Sequence, residues 1–345
     1  MSADLFPLRS AGAGERIRPG AQSPRGQFVA RVVSNRPLCT DHFRLTLAVP
    51  GFPASVPGQF VQLDCRDHSA EAETPREFEW PPRTGNADAA RAALDPDFAA
   101  PMAYLRRPFS IADQRPAMSG TSEIDIIHRV VGRGTGHLAT LAPGQEISLL
   151  GPLGVGFIAP AQMELACLVG GGVGVPPMLY LAKALSAAAH QCKRVAFLGA
   201  QRKDLLAVNL TQPPAASGQP GMTVAELTPL ACTAAITTDD GSLGLKGFVT
   251  QSLRQFLAGA VPTIGPAKII VYCCGPTPMM KATAKVAADF GLVCQVSLEQ
   301  PMACGMGTCQ SCIIKYRPHT TPDAEWSYKL TCTQGPVFDT RDIVW

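Results

Sequence analysis

Short runs of alternating apolar and polar residues fill the first half of the chain and predict β-strands. Between about residues 27 and 157, glycines and prolines separate these runs, and little of the 3.6-residue period of a helix is present. Several short strands with turn residues between them are typical of a small antiparallel barrel. The predicted strands span residues 28–33, 43–49, 59–63, 123–131 and 146–150.

The pattern changes after Pro160, where apolar runs of strand length alternate with stretches of helix length. That alternation predicts a parallel sheet whose strands are joined by crossover helices. The predicted strands span 165–169, 194–198, 233–237, 268–273 and 293–297, and the predicted helices span 177–189, 248–256 and 278–290. Residues 297–345 carry little apolar bulk, so we expect them to fold around a metal group rather than around a core of their own.

These patterns divide the chain into four parts. Residues 1–26 form a disordered or extended tail, 27–158 the barrel, 159–296 the α/β domain and 297–345 a small C-terminal domain. Residues 66–102 are predicted to be a surface insertion in the barrel, with a helix over 87–94. The tail contains arginines but no apolar segment, which excludes a secretory signal and leaves a transit peptide as the alternative.

The composition indicates a soluble globular protein, since 46% of the 345 residues are hydrophobic and 17% are charged. A net charge of +3 gives no reason to expect nucleic-acid binding, and no apolar run approaches the roughly 18 residues that span a bilayer. Twelve cysteines in a chain of this size favour a reducing compartment, so we expect a cytoplasmic protein. Cys167, Cys273, Cys274 and Cys294 lie in or beside apolar strands and are expected to pack in cores.

Four cysteines near the C-terminus have the spacing of a metal site. Cys304, Cys309 and Cys312 read C-x4-C-x2-C, and Cys332 follows after nineteen residues. This is the ligand spacing of plant-type [2Fe–2S] sites, where hydrogen bonds to the sulfurs tune the cluster. A structural zinc site also takes four thiolates, but usually in C-x2-C pairs. The spacing therefore predicts an iron–sulfur cluster, and the histidines do not cluster at metal-ligand spacing.

Two motifs in the barrel region have residues suited to a flavin nucleotide. The first, R-P-F-S at 107–110, offers a guanidinium for phosphate oxygens and a hydroxyl; it is expected to end a β-segment, although such a string also occurs in surface loops. The second, G-R-G-T-G at 132–136, follows a predicted strand and lets backbone amides approach a pyrophosphate, with a hairpin turn as the alternative. In this order inside one small barrel, each motif strengthens the other.

Two loops of the α/β region are suited to a nicotinamide nucleotide. The run from Gly170 to Met178 follows a buried strand and opens a helix, where a glycine loop can hold phosphates or simply make a tight turn. The run C-G-P at 274–276 ends a later strand, on the sheet edge where open α/β folds bind ligands. Cys274 is either a buried structural thiol or a nicotinamide contact. Asp239 and Asp240 follow another strand on that edge, and we favour a turn there over a ribose contact.

Taken in order, these motifs and G-P-L-G-V-G-F at 151–157 resemble the ferredoxin-reductase superfamily. Within it, the chain is similar to the electron transfer subunits of class 1B dihydroorotate dehydrogenases, most specifically from Ser297 to Cys312 and over 332–345. The resemblance covers roughly residues 27–65 and 104–345. It implies a multidomain α/β and β fold with an FAD-binding antiparallel β-barrel, a parallel α/β nucleotide-binding domain and a small C-terminal [2Fe–2S] domain.

The motifs and the resemblance together give the candidate site residues. The FAD-binding candidates are Arg107, Pro108, Phe109, Ser110, Ile127, His128, Arg129, Gly134 and Thr135. The NAD(H)-binding candidates are Gly171, Gly172, Gly174, Cys274, Gly275 and Pro276. No catalytic side chain is expected, because the cofactors carry the chemistry. His128 stands where the family leads us to expect a tyrosine, which leaves open whether it faces the flavin or solvent.

The function implied by the resemblance is electron transfer between NAD(H), FAD and a [2Fe–2S] cluster. The partner would be the FMN-containing catalytic subunit of a dihydroorotate dehydrogenase in pyrimidine biosynthesis, in a heterotetramer with two copies of each chain. One alternative is a reductase of the same architecture that serves an oxygenase, a sulfite reductase or ferredoxin. A more remote alternative is a zinc-binding adaptor without enzymatic activity, whose glycine loops are only turns.

Overall fold

The computed structural model of the protein describes residues 25–66, 105–118, 120–187 and 192–345. Nearly all of the predicted tail 1–26 and insertion 66–102, including the predicted helix at 87–94, lies outside the described residues. None of the described helices is both long and apolar enough to cross a membrane.

Six antiparallel strands close into a barrel in the order β1-β2-β5-β4-β3-β6. The strands are β1 (Gly26–Cys39), β2 (His42–Pro50), β3 (Phe60–Leu63), β4 (Arg107–Pro116), β5 (Thr121–Arg129) and β6 (Glu146–Leu153), and helix α1 (Arg133–Thr140) follows β5. Alternate apolar residues fill the interior: Leu45, Leu47, Ile124 and Ile126 are all fully buried. The predicted antiparallel barrel is confirmed.

In the barrel, one local expectation is wrong and one alternative is excluded. The R-P-F-S motif begins strand β4 instead of ending a β-segment, because residues 111–116 continue the strand against β5. The glycine-rich run at 132–136 is not a hairpin turn but the start of α1. The C-terminal end of this helix is bound by a side chain that is distant in sequence. The Asn35 side chain donates to the carbonyl oxygens of Leu138, Ala139 and Leu141, and so satisfies backbone acceptors that the helix end leaves open.

The second half forms a seven-stranded sheet flanked by helices, in which the predicted parallel strands and crossover helices are present. Its elements are β7 (Leu165–Gly171), α2 (Val175–Ala187), β8 (Lys193–Ala200), β9 (Cys232–Thr238), β10 (Leu245–Lys246), α3 (Val249–Ile264), β11 (Ile269–Cys274), α4 (Thr277–Asp289) and β12 (Val293–Ser297). The order is β10-β9-β8-β7-β11-β12 with parallel pairing, which brings all the carboxyl ends to one edge. Cys167, Cys273, Cys274 and Cys294 are buried, as expected.

The C-terminal residues add three short strands: β13 (Ile313–Tyr316), β14 (Ser327–Leu330) and β15 (Val337–Asp339). Strands β13 and β14 form a hairpin-like pair, whereas β15 joins the large sheet by antiparallel pairing with β12. Ile314 and Phe338 pack in the sheet's own core. The C-terminal segment therefore shares a core with the α/β region, and the four proposed domain boundaries stay a prediction.

Helix α2 packs against strand β4 and so joins the sheet to the barrel. Its Tyr180 side chain is fully buried within the barrel core, where the hydroxyl donates to the Ser55 carbonyl oxygen at 2.8 Å. Lys183 on the same helix reaches Asp113 of β4 at 2.6 Å. Because α2 also carries the glycine loop at its start, this contact fixes that loop relative to the R-P-F-S strand.

Candidate functional site

One large cavity of about 1460 Å³ lies where the barrel, the carboxyl edge of the sheet and the C-terminal segment meet. Its volume exceeds the several hundred Å³ typical of a pocket for one small ligand. Every nucleotide-site candidate from the sequence lies on its wall, namely Arg107, Pro108, Phe109, Ser110, Ile127, His128, Arg129, Gly134, Thr135, Gly171, Gly172, Gly174, Cys274, Gly275 and Pro276. The wall also includes Ala303 and Ser311, next to the cysteine motif.

His128 forms part of the barrel side of the cavity and is only 2% exposed, so it does not face solvent. Its ring lies parallel to that of Phe43, with centroids 5.9 Å apart, and edge-on to that of Phe109 at 6.0 Å. Neither ring nitrogen has a hydrogen-bond partner in the described part of the chain. Burial, with a smaller contribution from nearby His42, lowers the pKa of His128 to about 4, so the ring is neutral at pH 7.

The amino-terminal end of α1 also borders the cavity. The Thr135 hydroxyl accepts hydrogen bonds from the backbone N–H groups of Val131 and Gly132, at 2.9 and 3.2 Å, and fixes the loop that enters the helix. Gly132, Gly134 and Thr135 all line the cavity. A helix start with free N–H groups favours negative charge, so this end suits a phosphate group.

Three positions on the sheet side of the cavity are occupied by glycine, and the structural reason differs between them. A Cβ on Gly174 would overlap the Cys274 carbonyl group, and one on Gly171 would overlap the Met279 sulfur. Gly172 has a φ of +54°, and a Cβ there would meet no atom within 4 Å. The first two glycines therefore let the two loops pack together, while Gly172 leaves backbone open to the cavity.

Cys274 and the two aspartates complete the sheet edge. Burial first, and the Glu299 charge second, raise the pKa of the Cys274 thiol to about 12, so this cysteine is a neutral thiol and no nucleophile. Asp240 accepts from the Ser242 backbone N–H at 2.9 Å and so forms the expected turn. Asp239 is on the cavity wall, and burial raises the pKa of its carboxyl group.

The cysteine motif forms a loop in which sulfurs already accept backbone hydrogen bonds. The Cys304 sulfur accepts from the N–H groups of Met306 and Cys309, and the Cys312 sulfur accepts from that of Cys332, all at 3.4 Å. Hydrogen bonding from Ser311 lowers the pKa of the exposed Cys309 to about 6, toward the thiolate that a metal binds.

Cys312 and Cys332 form the buried half of this motif. Burial, followed by the neighbouring Cys312, raises the pKa of Cys332 to about 12. Adjacent buried thiols resist ionisation unless a positive charge lies between them, and bound iron would supply that charge. Among the described residues, no three His, Cys, Asp or Glu side chains meet the geometry of a single metal ion. The donor set suits a cluster of soft metal ions bound by thiolates.

Comparison with known proteins identifies the family. A model of the iron–sulfur cluster binding domain of dihydroorotate dehydrogenase B matches residues 299–344, and a model of the oxidoreductase NAD-binding domain matches residues 168–285. The electron transfer subunit of dihydroorotate dehydrogenase B (NAD(+)) from Caldanaerobacter subterraneus subsp. tengcongensis is 30% identical over 320 residues, which cover 93% of this chain and 99% of the relative. The chain belongs to this family of electron transfer subunits.

Two further similarities agree with membership of the dihydroorotate dehydrogenase B electron transfer family. The corresponding subunit from Lysinibacillus sphaericus is 33% identical over 310 residues, 89% of this chain and 95% of the relative. A solved structure of an NADH-dependent reduced ferredoxin-NADP oxidoreductase, described in work on flavin-based electron bifurcation, superposes with a TM-score of 0.63 at 26% identity; the match covers 92% of this chain and 90% of that chain. The predicted family, fold and oxidoreductase class are thus confirmed, and the matches favour iron–sulfur binding over a zinc adaptor.

Sequence reasoning missed three residues that shape the site in this family member. Asn35 holds the end of α1, Tyr180 joins α2 to the barrel, and Gln62 touches the cysteine loop. Gln62 is the only one with a visible signal, since it is a polar residue inside the apolar strand F-V-Q-L. The other two act on partners more than 100 residues away, which no local pattern reveals.

Proposed function

We propose that this chain passes electrons between NAD(H) and the FMN of a dihydroorotate dehydrogenase catalytic subunit in pyrimidine biosynthesis. FAD and a [2Fe–2S] cluster would be its resident groups. The observation that carries the proposal is the continuous cavity, whose wall runs from Gly171 past Phe109 to Ala303 and Ser311 beside the cysteine motif. Electron transfer through several groups requires contiguous sites, and this wall offers them.

The residues of the barrel suit FAD. Arg107 on the cavity wall and the amino-terminal end of α1 at Gly134 would hold the phosphate groups. Phe109 and the neutral His128 would form an uncharged wall. Bound FAD accepts a hydride as an electron pair and can release electrons singly, which a one-electron cluster requires.

The residues of the sheet edge suit a nicotinamide nucleotide. Gly172 would admit the phosphates against the start of α2, and the loop 274–276 would lie beside the nicotinamide. The neutral Cys274 thiol supplies packing and no charge. Cys304, Cys309, Cys312 and Cys332 would ligate the cluster, with the exposed Cys309 side nearest to an external acceptor.

The relatives are named electron transfer subunits, so we infer a separate catalytic subunit as the partner. A complex with two copies of each chain is the assembly we propose. The partner would supply the FMN and the residues that act on dihydroorotate.

The test reconstitutes electron transfer from separate components. Purified alone, the chain should show the absorption bands of a flavin and an iron–sulfur cluster. It should oxidise NADH with a dye that accepts electrons from flavin, but it should not oxidise dihydroorotate. Adding the catalytic subunit should give NAD-linked dihydroorotate oxidation. Cys309→Ser should keep the dye reaction but lose that turnover, since a hydroxyl is a poor iron ligand. Full turnover by the variant would show that the cluster is not on the electron path.

A second candidate is a reductase that serves ferredoxin or another acceptor. The observation in its favour is the similarity to a solved NADH-dependent reduced ferredoxin-NADP oxidoreductase. The same NADH-reduced chain should be mixed with ferredoxin and, separately, with the catalytic subunit. Faster reoxidation by ferredoxin, together with no complex with the catalytic subunit on gel filtration, would favour this candidate.

A further inference from the structure

Strand β3 lies between the proposed flavin and cluster sites and has two different faces. Val61 and Leu63 point into the barrel core. Phe60 packs against the buried Cys312 and Cys332, on the outer face. Residues two apart in a strand share a face, so Gln62 lies on the same outer face as Phe60. The outer face of this short strand therefore supports the cysteine motif.

Gln62 contacts the other end of the motif. Its side-chain amide nitrogen donates to the Ala303 carbonyl oxygen at 3.4 Å. Gly305 passes directly over the same amide, since a Cβ at that position would lie 2.7 Å from the Gln62 Cδ atom. Gly305 also has a φ of +67°, which disfavours any other residue. The loop that carries Cys304 is thus shaped to rest on this amide.

Gln62 places a polar side-chain amide in a buried position. The side chain is 1% exposed, and its Oε1 atom has no donor among residues that the structure describes. A buried polar group without a partner destabilises the fold. On the neighbouring strand, Gln62 stands opposite Pro108 of the R-P-F-S motif. One side chain therefore touches the cluster loop from the strand that pairs with the flavin motif.

We propose that Gln62 is a positioning residue that seats the cluster loop on the flavin-binding strand pair and thereby tunes the cluster. This inference rests on the proposed [2Fe–2S] site. Hydrogen bonds and packing around the ligands of a cluster set its potential and its stability. Removing the amide should therefore change the cluster itself, and leave the FAD site and the nucleotide loops intact.

The test uses Gln62→Leu, which keeps most of the volume and removes both polar atoms, and Gln62→Asn, which keeps a shorter amide. The matched control is Gln212→Leu, whose amide also donates to a backbone carbonyl oxygen but lies in an exposed loop. The measurements are the electron paramagnetic resonance spectrum of the dithionite-reduced protein, the midpoint potential and the rate of cluster loss to a chelator. Content of FAD and thermal unfolding report on folding.

Gln62→Leu should shift the spectrum and potential and lose its cluster ~10-fold faster, as expected when a residue that supports metal ligands is removed. Gln62→Asn should be intermediate and Gln212→Leu should match the wild type. A purely structural role would lower thermal stability without moving the spectrum or the potential. That result, or variants identical to the wild type in all three measurements, would overturn the inference.

A double substitution tests the contact directly. Gly305→Ala should lose the cluster, because its Cβ meets the Gln62 amide. In a Gln62→Ala background the same change should be tolerated better, since only the positive φ then remains unfavourable. Strictly additive effects would contradict the proposed contact. A wild-type protein without a [2Fe–2S] spectrum would instead refute the proposed function, so the two failures are distinguishable.

Discussion

Gly174→Ala is the sharpest perturbation of the proposed nucleotide site. Gly174 lies just before α2, where the glycine loop meets the loop that follows β11. A Cβ there would overlap the Cys274 carbonyl group and lie 2.5 Å from the Gly275 nitrogen. Both contacts are to backbone, which cannot rotate away as a side chain can. The substitution must therefore separate the two loops.

The size of the effect follows from this overlap. Adding a carbon to a well-packed region usually costs ~1–3 kcal/mol. The atoms on the opposing side belong to the backbone and cannot easily move away, so we expect the free energy of unfolding to fall by about 3 kcal/mol. Separating the loops also misplaces the backbone that would hold the nucleotide, and because a misplacement of about 1 Å can cost ~100-fold in rate, NADH-driven flavin reduction should slow ~100-fold. Both loops line the cavity, whereas the barrel and the cysteine motif do not take part in the overlap.

The assay is stopped-flow reduction of the bound flavin by NADH, with dithionite reduction of the same sample as the check on both redox groups. Two glycine controls separate the causes. Gly172→Ala adds the strain of a positive φ and a methyl group on the cavity side, where the phosphates would lie, but does not force the two loops apart. Gly136→Ala adds a carbon with no atom within 4 Å on α1. Flavin reduction by NADH should be slowed in the first variant through weaker NADH binding and should be normal in the second. Flavin reduction at the wild-type rate in Gly174→Ala would refute the assignment of these loops to NAD(H).

Three further predictions address the barrel. Arg107→Ala should remove a charged hydrogen bond of ~1.5–3 kcal/mol, so that FAD content after gel filtration falls several-fold while the cluster signal remains. Tyr180→Phe should lower the unfolding free energy in denaturant by ~1–3 kcal/mol because the buried Ser55 carbonyl oxygen loses its donor, whereas Tyr328→Phe, at an exposed position, should not. His128 stays neutral in the folded state down to a pKa of about 4, whereas it protonates near 6.5 when unfolded. The stability that the neutral His128 ring allows is therefore full above pH 6.5 and is lost as the pH falls toward 4. His128→Phe should reduce this acid destabilisation by up to about 3 kcal/mol. The measurement is the free energy of unfolding of both proteins at pH 7 and pH 4.5.

The sequence predicts the periodic strands and helices well because the alternation of buried and exposed residues within one strand or helix is visible in the local sequence. Strand β4 is the exception, since the sequence leads us to expect a β-segment that ends at the R-P-F-S motif. Its continuation contains three consecutive polar residues, Asp113, Gln114 and Arg115. Asp113 is paired with Lys183 of α2, and Arg115 contacts Glu123 at 2.8 Å on β5. Partners on other elements of the fold satisfy these polar groups, so the pattern within the segment itself cannot show that the strand continues.

The candidate site was predictable to the extent that motifs mark it. The glycine loops and the cysteine spacing point to sites because few other functions need glycine or thiol at such positions. The sequence predicts no helix at 132–136, since glycines disfavour helices, and the contact that stabilises the end of α1 comes from Asn35 on strand β1. The burial of His128 depends on the aromatic rings of Phe43 and Phe109 from two other strands. These features require the assembled barrel.

The strand pair β3–β4 relates all three proposed sites to one another. Strand β4 begins with the flavin motif, and its outer side packs against α2, which carries the nucleotide loop at its start. Strand β3 pairs with it and supports the cysteine motif through Phe60 and Gln62. The spacing between the sites is therefore set by packed strands and not by linkers. Substitutions on the outer faces of these two strands should alter electron transfer more than equally drastic changes in surface loops such as the one at Gln212.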